Sequence, residues 1–195
     1  ENGSIALSDV SQVVMNGLIP NITRLFQEQF GYVYGGALTI LAYGKLGSKE
    51  LMPSSDLDLV VVYDAGATTE SQDGKRSLPV SAYYIRLAQR IVSTLTAMTT
   101  EGRLFNIDLR LRPSGEQGPF AISFNAFKKY HERQAWIWES LALTRTRLVY
   151  TTGKLGSKLN KTINEILRER RNKSDIRLAI QEMRHRIKKE HSNES

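Results

Sequence analysis

Two aspartates, Asp56 and Asp58, stand two positions apart at the start of the apolar run LDLVVVY. On a β-strand both side chains would leave the same face, roughly 7 Å apart, whereas on a helix they would diverge by about 200°. Carboxylates held this close repel each other, and such a pair is typical of a site that binds a divalent cation such as Mg²⁺. An aspartate pair at the start of a strand can equally be solvated or cap a turn, so the pair alone does not establish a metal site.

A small-residue turn precedes this pair. Gly47 and Ser48 lie in the hexapeptide GKLGSK, which occurs at residues 44–49 and again at residues 153–158. Such a turn can bring backbone N–H groups and a hydroxyl close to a polyphosphate. It is not a Walker A loop, because neither Gly-Lys pair has a glycine at the required distance before it. Only the first copy is followed by a carboxylate pair, so we expect only that copy to serve catalysis.

A third carboxylate lies in the segment RLFNIDLRLR, residues 103–112, where apolar and polar residues alternate. This alternation predicts a strand whose polar face carries Asp108, Arg110 and Arg112. Three carboxylates from two strands can hold two metal ions, and arginines can neutralise a triphosphate. The three histidines, in contrast, are widely separated in sequence and suggest no metal site.

The apolar periodicity predicts the elements that would position these residues. A helix over 8–29 has Ser8 as its N-cap, Gly31 just beyond its end and Pro20 as a point of kinking or division. Short β-rich runs predict strands at 37–43 and 57–63. Helical spacing predicts further helices at about 80–98, 123–132, 134–148, 159–171 and 174–190, with the second GKLGSK as a joint.

Composition narrows the class of protein. The net charge of +7 arises in the tail: residues 1–153 hold 15 Lys+Arg against 14 Asp+Glu, whereas residues 154–195 hold 12 against 6. We therefore expect a solvated helical tail rather than a nucleic-acid site. No apolar run is long enough to cross a bilayer, and the absence of cysteine fits a cytoplasmic protein. The start ENGSIALSDV has no initiator Met and no signal-peptide pattern, so we expect a fragment of a longer chain.

Several stretches together resemble one enzyme family. GKLGSKEL, SSDLDL, YYIRLAQRI, DLRLRPSGEQGP and QAWIWESLALTRTRLVY, spread over about residues 36–150, are similar to the bacterial glutamine synthetase adenylyltransferase/deadenylylase family. That family looks like part of the nucleotidyltransferase superfamily that includes DNA polymerase β. The resemblance implies an α/β (α+β) fold, a mixed sheet with flanking helices followed by a helical extension. We place a helical lead-in at 1–35, the catalytic domain at 36–152 and the helical extension at 153–195.

The resemblance also implies a reaction chemistry. ATP is the implied substrate and two Mg²⁺ ions are the implied cofactors, held by Asp56, Asp58 and Asp108, with Asp108 helping the nucleophile lose its proton. The residues implied in ATP or phosphate binding are Gly44, Lys45, Gly47, Ser48, Ser55, Arg110 and Arg112. Lys45 could instead be a solvent-exposed loop lysine. Ser48 departs from the second glycine of many relatives, although the wider superfamily accepts either residue.

The family joins two related catalytic domains in one long chain, and the N-terminal copy removes AMP from glutamine synthetase while the C-terminal copy adds it. SSDLDL, RLAQRI and the Trp-x-Trp-Glu segment look more like the adenylylating copy. The implied partners are glutamine synthetase, as protein substrate, and the PII signal protein through the full-length chain. The deadenylylating copy and a non-catalytic module that binds a regulatory protein remain alternatives. An RNA nucleotidyltransferase is disfavoured by the +1 charge of residues 1–153.

Overall fold

A computed structural model of the chain describes residues 2–100 and 102–168, together with the single positions 177 and 181. Its main sheet contains β1 (Ala37–Ala42), β2 (Leu57–Asp64), β5 (Ile107–Asp108), β6 (Ala121–Ser123) and β7 (Arg147–Thr151). The strand order is β5-β2-β1-β7, with β6 also paired to β2. β1 is antiparallel to β2 and β7, whereas β5 and β6 run parallel to β2. A separate hairpin joins β3 (Met98–Thr99) to β4 (Gly102–Arg103). The predicted mixed α/β fold is confirmed.

Helices cover both faces of this sheet. The helices are α1 (Asn2–Phe30), α2 (Gly44–Gly47), α3 (Val80–Leu95), α4 (Phe124–Arg133), α5 (Ile137–Ala142) and α6 (Leu155–Arg168). Leu59 and Val61 of β2 pack in the core that α1 and α3 cover, while Val60 and Val62 pack in the core that α4 and α6 cover. A strand that is buried on both faces has apolar residues at successive positions, which explains the run LVVVY.

The helices α1 and α6 are integral to this packing. α1 contributes Met15 and Ile19, both fully buried, to the core shared with the sheet. α6 contributes Leu159, also fully buried, to the core on the other face. The part of the predicted extension up to Arg168 is therefore packed on the sheet, and the domain boundary itself stays a prediction. None of the helices described here has the length and apolar character that a membrane span requires.

Several predicted elements differ from the structure. α1 is not divided at Pro20, and Ser8 lies within α1, where its hydroxyl donates to the Ser4 carbonyl at 2.8 Å instead of capping the helix. The predicted strand over 103–112 is reduced to β5, because the chain turns where the Arg112 N–H donates to the Leu109 carbonyl at 3.1 Å.

Two further differences concern the C-terminal half of the chain. The predicted helix over 134–148 is replaced by α5, a 3₁₀ turn at Leu143–Arg145 and strand β7. The second GKLGSK is not a joint before a later helix, since α6 already begins at Leu155. The helix predicted over 174–190 lies outside the described residues, apart from positions 177 and 181.

Candidate active site

The three aspartates of the predicted site come together at one end of β2. Asp58 pairs in register with Asp108 across the parallel strands β2 and β5, and neighbouring strands lie about 4.8 Å apart. The Leu57 N–H donates to the Asn106 carbonyl at 2.8 Å, which fixes this register. Asp56, which precedes β2, is exposed, whereas Asp58 is half-buried. The expected proximity of Asp58 and Asp108 is therefore observed, and the shared metal site of the three carboxylates stays a prediction.

The electrostatics of Asp58 reflect this crowding. Partial burial is the main cause that raises the pKa of the Asp58 carboxyl above its ordinary value, and the carboxylates of Asp108 and Asp56 raise it further. The positive charges of Arg110 and Lys45 act in the opposite direction on the same group. A carboxylate whose ionised form is penalised by like charges is stabilised when a cation binds between them. This end of β2 thus has the donor chemistry of a divalent-cation site.

Arg110 holds Asp108 in a closely bonded pair. Its Nε and Nη2 both donate to Asp108 Oδ2, at 2.8 and 2.6 Å, and its backbone N–H donates to Oδ1 at 2.8 Å. These bonds keep the pKa of Asp108 below its ordinary value. The Arg110 side chain is 68% exposed and that of Asp108 only 14%, so the arginine can turn away into solvent more easily than the carboxylate can.

Arg110 also affects whether the Asp108 carboxylate can bind a metal ion. Over the described parts of the chain, no three acidic or histidine side chains are gathered into a ready metal-ligand cluster. Both oxygens of Asp108 accept hydrogen bonds from Arg110. For Oδ2 of Asp108 to bind a cation shared with Asp58, the Arg110 guanidinium must first give way, whereas Oδ1 accepts only the backbone N–H.

The turn from β1 into α2 lies directly against Asp58. Gly44 has a positive φ of 54°, and a Cβ at this position would lie 2.6 Å from Asp58 Oδ2. The Tyr43 N–H donates to the Asp58 carbonyl at 2.9 Å. A glycine is needed here because it tolerates the left-handed backbone and leaves room for the carboxylate.

Gly47 and Ser48 are fixed more tightly than the sequence indicated. Their backbone N–H groups donate to the carbonyls of Tyr43 and Gly44, each at 3.0 Å, so these two amides are engaged within the turn. A Cβ on Gly47 would lie 2.0 Å from the Arg145 carbonyl oxygen. The Ser48 hydroxyl is therefore the donor of this pair that is not engaged in the backbone of the turn, and the predicted phosphate-binding role of both residues stays a prediction.

Lys45 and Ser55 approach each other from opposite sides of the loop between β1 and β2. The Lys45 ammonium donates to Ser55 Oγ at 3.2 Å, and its charge acts on Asp58. Lys45 is therefore directed along the aspartate end of the sheet. Lys45 is nevertheless exposed, and the phosphate-binding role of both residues stays a prediction.

Arg112 makes structural hydrogen bonds that the sequence did not indicate. Its guanidinium donates to the carbonyls of Gly118, Leu109 and Glu116 at 2.8 to 2.9 Å, and the residue is only 9% exposed. These bonds hold the loop that follows β5. A contribution of Arg112 to phosphate binding stays a prediction.

A shallow groove runs along this end of the sheet. Its volume is about 370 Å³, and it is lined by Asp56, Ile107, Asp108, Leu109, Arg110, Arg112 and Glu116. The groove is therefore open beside two of the three aspartates and beside Arg110. It is large enough for part of a nucleotide and polar enough for its phosphates.

Arg145 and Glu50 are not among the residues that the resemblance implied in ATP or phosphate binding. Nη2 of Arg145 donates to Ser48 Oγ at 2.8 Å and also contacts Glu50 Oε2. Arg147, further along the same segment, donates to the Leu46 carbonyl at 3.0 Å. These arginines stand about 100 positions away from α2 in the chain, so no local pattern could have revealed the contacts.

The second GKLGSK repeats the backbone turn but not the chemical surroundings. Gly153 has a φ of +57° and lies two residues before the start of α6, whereas Gly44 is the first residue of α2. The nearest atom to a Cβ on Gly153 would be the Ala37 Cβ at 3.4 Å, and no carboxylate lies within 4 Å. The hexapeptide is thus a strand-to-helix turn used twice, and only its first copy adjoins Asp58.

Comparisons with known proteins place the chain in a family. The family model described as "Glutamate-ammonia ligase adenylyltransferase" matches residues 3–162. A protein of Mesorhizobium japonicum named "Bifunctional glutamine synthetase adenylyltransferase/adenylyl-removing enzyme" is 38% identical over 95% of this chain. Proteins of the same name from Brucella suis and Bartonella henselae are 38% and 39% identical, over 95% and 94% of the chain. The chain spans only 19% of the length of each of these relatives.

Proposed function

The chain belongs to the glutamate-ammonia ligase adenylyltransferase family, and we propose that it transfers AMP from ATP to a tyrosine of glutamine synthetase. The observation that carries this proposal is the pairing of Asp58 with Asp108 on neighbouring parallel strands, with Asp56 just before β2. Family membership supports the reaction class, and the names of the relatives support glutamine synthetase as the substrate.

In the proposed reaction the tyrosine oxygen bonds to the α-phosphorus of ATP. The bond from that phosphorus to the oxygen that bridges to the β-phosphate breaks, and pyrophosphate leaves. The tyrosine proton passes to the carboxylate of Asp108 after Arg110 has released it. An aspartate is ionised near neutral pH, and the release of Arg110 removes the hydrogen bonds that lower the pKa of Asp108, which makes this carboxylate a better proton acceptor.

Asp56, Asp58 and Asp108 would hold Mg²⁺ through their carboxylate oxygens, the ligands this ion prefers. When bound, Mg²⁺ would neutralise the triphosphate and polarise the phosphorus under attack. The raised pKa of Asp58 between two other carboxylates supports this assignment, because a divalent cation removes the repulsion that raises it.

The phosphate chain of ATP would lie between the first GKLGSK and the groove. The Lys45 ammonium and the Ser48 hydroxyl would donate to its oxygens from one side. From the other side, the Arg110 guanidinium would pair with a phosphate after leaving Asp108, since it is exposed and carries a fork of donors. Gly44 keeps the turn close to Asp58.

The proposed direction, addition of AMP, is supported only by a resemblance in the sequence. SSDLDL, RLAQRI and the Trp-x-Trp-Glu segment are more similar to the adenylylating copy of this family than to the other copy. The second candidate is removal of AMP, in which inorganic phosphate attacks adenylyl-tyrosine at the same three aspartates. It is retained because the names of the relatives include both activities.

Two parallel incubations distinguish these candidates. One contains the chain, unmodified glutamine synthetase, Mg²⁺ and ATP, and the other contains the chain, adenylylated glutamine synthetase, Mg²⁺ and inorganic phosphate. We expect AMP to be added in the first, and no more ADP to form in the second than without the chain. ADP formation that depends on the chain in the second incubation alone would identify the adenylyl-removing copy instead.

A further inference from the structure

Ser48, Glu50 and Arg145 form a cluster beside the first GKLGSK. Arg145 reaches this loop from the 3₁₀ turn before β7, and its Nη2 contacts both Ser48 Oγ and Glu50 Oε2. Ser48 Oγ also lies 2.8 Å from Glu50 Oε2 and 2.9 Å from the Gly44 carbonyl oxygen. The three side chains are therefore bonded to one another at the turn that we assign to phosphate binding.

Glu50 is an unexpected residue at such a turn. Its carboxylate is a negative charge that contacts Ser48, whose hydroxyl is proposed to donate to a phosphate oxygen. Unpaired, this charge would repel a polyphosphate and would also compete with it for the hydroxyl proton of Ser48. The ion pair with Arg145 offsets both effects.

Arg145 also orients the hydroxyl. A serine hydroxyl has one proton and two acceptor lone pairs. Because Arg145 donates to Ser48 Oγ, one lone pair is occupied by a charged donor, and the proton is left for an acceptor. That acceptor is the Gly44 carbonyl or Glu50 in this structure, and a phosphate oxygen can replace either of them.

The backbone at this point is held independently of the Arg145 side chain. The Arg145 carbonyl packs against Gly47, where a Cβ would lie only 2.0 Å away. Arg147 donates to the Leu46 carbonyl at 3.0 Å. Removal of the Arg145 guanidinium should therefore leave α2 in place, so that its effect on ligand binding can be measured separately from folding.

We propose that Arg145 is a positioning residue for the phosphate chain of the nucleotide. It neutralises Glu50 and orients the Ser48 hydroxyl, and it acts through these two residues without contacting the phosphates. The inference rests on the proposed function, since it takes Ser48 as a phosphate ligand.

The test uses magnesium tripolyphosphate, a probe without nucleoside, and measures its affinity for the full chain by calorimetry. The variants are Arg145→Ala, Glu50→Ala and the double variant, and Arg133→Ala, an exposed arginine of α4, is the control for loss of one charge. We expect Arg145→Ala to weaken binding about tenfold or more. The double variant should return to within about threefold of wild type, and Arg133→Ala should stay within about twofold.

Three outcomes would overturn the inference. The first is that Arg145→Ala binds tripolyphosphate as tightly as wild type. The second is that the double variant binds as weakly as Arg145→Ala, which would mean that Arg145 contacts the phosphates directly. The third is that the wild-type chain does not bind tripolyphosphate. Thermal unfolding of each variant checks that the fold is retained. Failure of the proposed function looks different: the wild-type chain would bind tripolyphosphate with the expected pattern and yet transfer no AMP from ATP.

Discussion

Replacing Gly44 with alanine should disturb the catalytic end of the sheet in a way that can be worked out from the structure. The new Cβ would lie 2.6 Å from Asp58 Oδ2, whereas ordinary contact begins at 3.4 Å, so the carboxylate must move by about 0.8 Å. Gly44 also has a φ of +54°, which costs a residue with a Cβ about 1–2 kcal/mol. Gly44→Ala therefore combines backbone strain with a displaced Asp58.

The two effects are measured by different assays. Chemical denaturation should show a loss of about 1–2 kcal/mol in the free energy of unfolding. Initial rates of AMP transfer to glutamine synthetase should fall about 100-fold, because a displacement approaching 1 Å at a reacting group can have an effect of that size. The rates are compared at a temperature where both proteins are folded.

The second hexapeptide supplies a matched control. Gly153 has nearly the same φ, +57°, but a Cβ there would meet only the Ala37 Cβ, at an ordinary 3.4 Å. Gly153→Ala should lose the same 1–2 kcal/mol or so of stability and keep transfer within about threefold of wild type.

Two results from the pair of glycine variants would contradict the proposed role of the Asp58 position. If both variants lose transfer equally, strain and not the position of Asp58 explains the loss. If Gly44→Ala is destabilised but transfers AMP at the wild-type rate, the position of Asp58 does not matter for the reaction, and its proposed role fails.

Three further variants test other parts of the account. Asp108→Asn should reduce transfer at least about 100-fold while Mg·ATP affinity falls much less, since the loss is specific to the transition state; equal losses in both would contradict this. Without metal, Asp58→Asn should have a higher melting temperature than wild type, and this difference should grow as the pH rises above the ordinary pKa range of aspartate. The reason is that the raised pKa of Asp58 makes its ionised form destabilising, and a pH-independent difference would contradict it. Leu159→Ala, at a fully buried position of α6, should lower the free energy of unfolding by about 2–5 kcal/mol in a denaturant titration, and a loss below about 1 kcal/mol would mean that α6 is not packed as described.

The two central strands of the sheet were predictable from the sequence because each one is a continuous apolar run, which is a local pattern. Strands expected at 37–43 and 57–63 are observed at Ala37–Ala42 and Leu57–Asp64. Both are apolar at nearly every position, since helices cover both faces of the sheet. The position of Asp58 on β2 followed from this signal.

The third aspartate shows what alternation can and cannot predict. Phe105, Ile107 and Leu109 do pack against the core, as the pattern indicated. Alternation reports which side chains are buried, however, and not whether the backbone is paired. Only Ile107 and Asp108 pair with β2 before the chain turns, yet this short pairing includes the residue that matters.

Contacts between segments that are distant in the chain could not be predicted from local sequence patterns. The first two residues of β7 were predicted as the end of a helix over 134–148, and the strand is defined by its pairing with β1 more than 100 positions earlier. The contact between Arg145 and Ser48, 97 positions apart, is of the same kind. The bond from Arg110 to Asp108 is local, but nothing in the spacing distinguished an arginine that faces phosphate from one that pairs with its neighbour.

The proposed transfer of AMP is tested most directly by following a label from ATP to glutamine synthetase. The chain is incubated with glutamine synthetase, Mg²⁺ and ATP that carries a radioactive α-phosphate, and the labelled residue is identified by mass spectrometry. We predict a Mg²⁺-dependent AMP group on a tyrosine of the synthetase, and no labelling above background with Asp58→Asn. Labelling that persists at the wild-type rate in Asp58→Asn, or no labelling by a wild-type chain that binds Mg·ATP, would contradict the account.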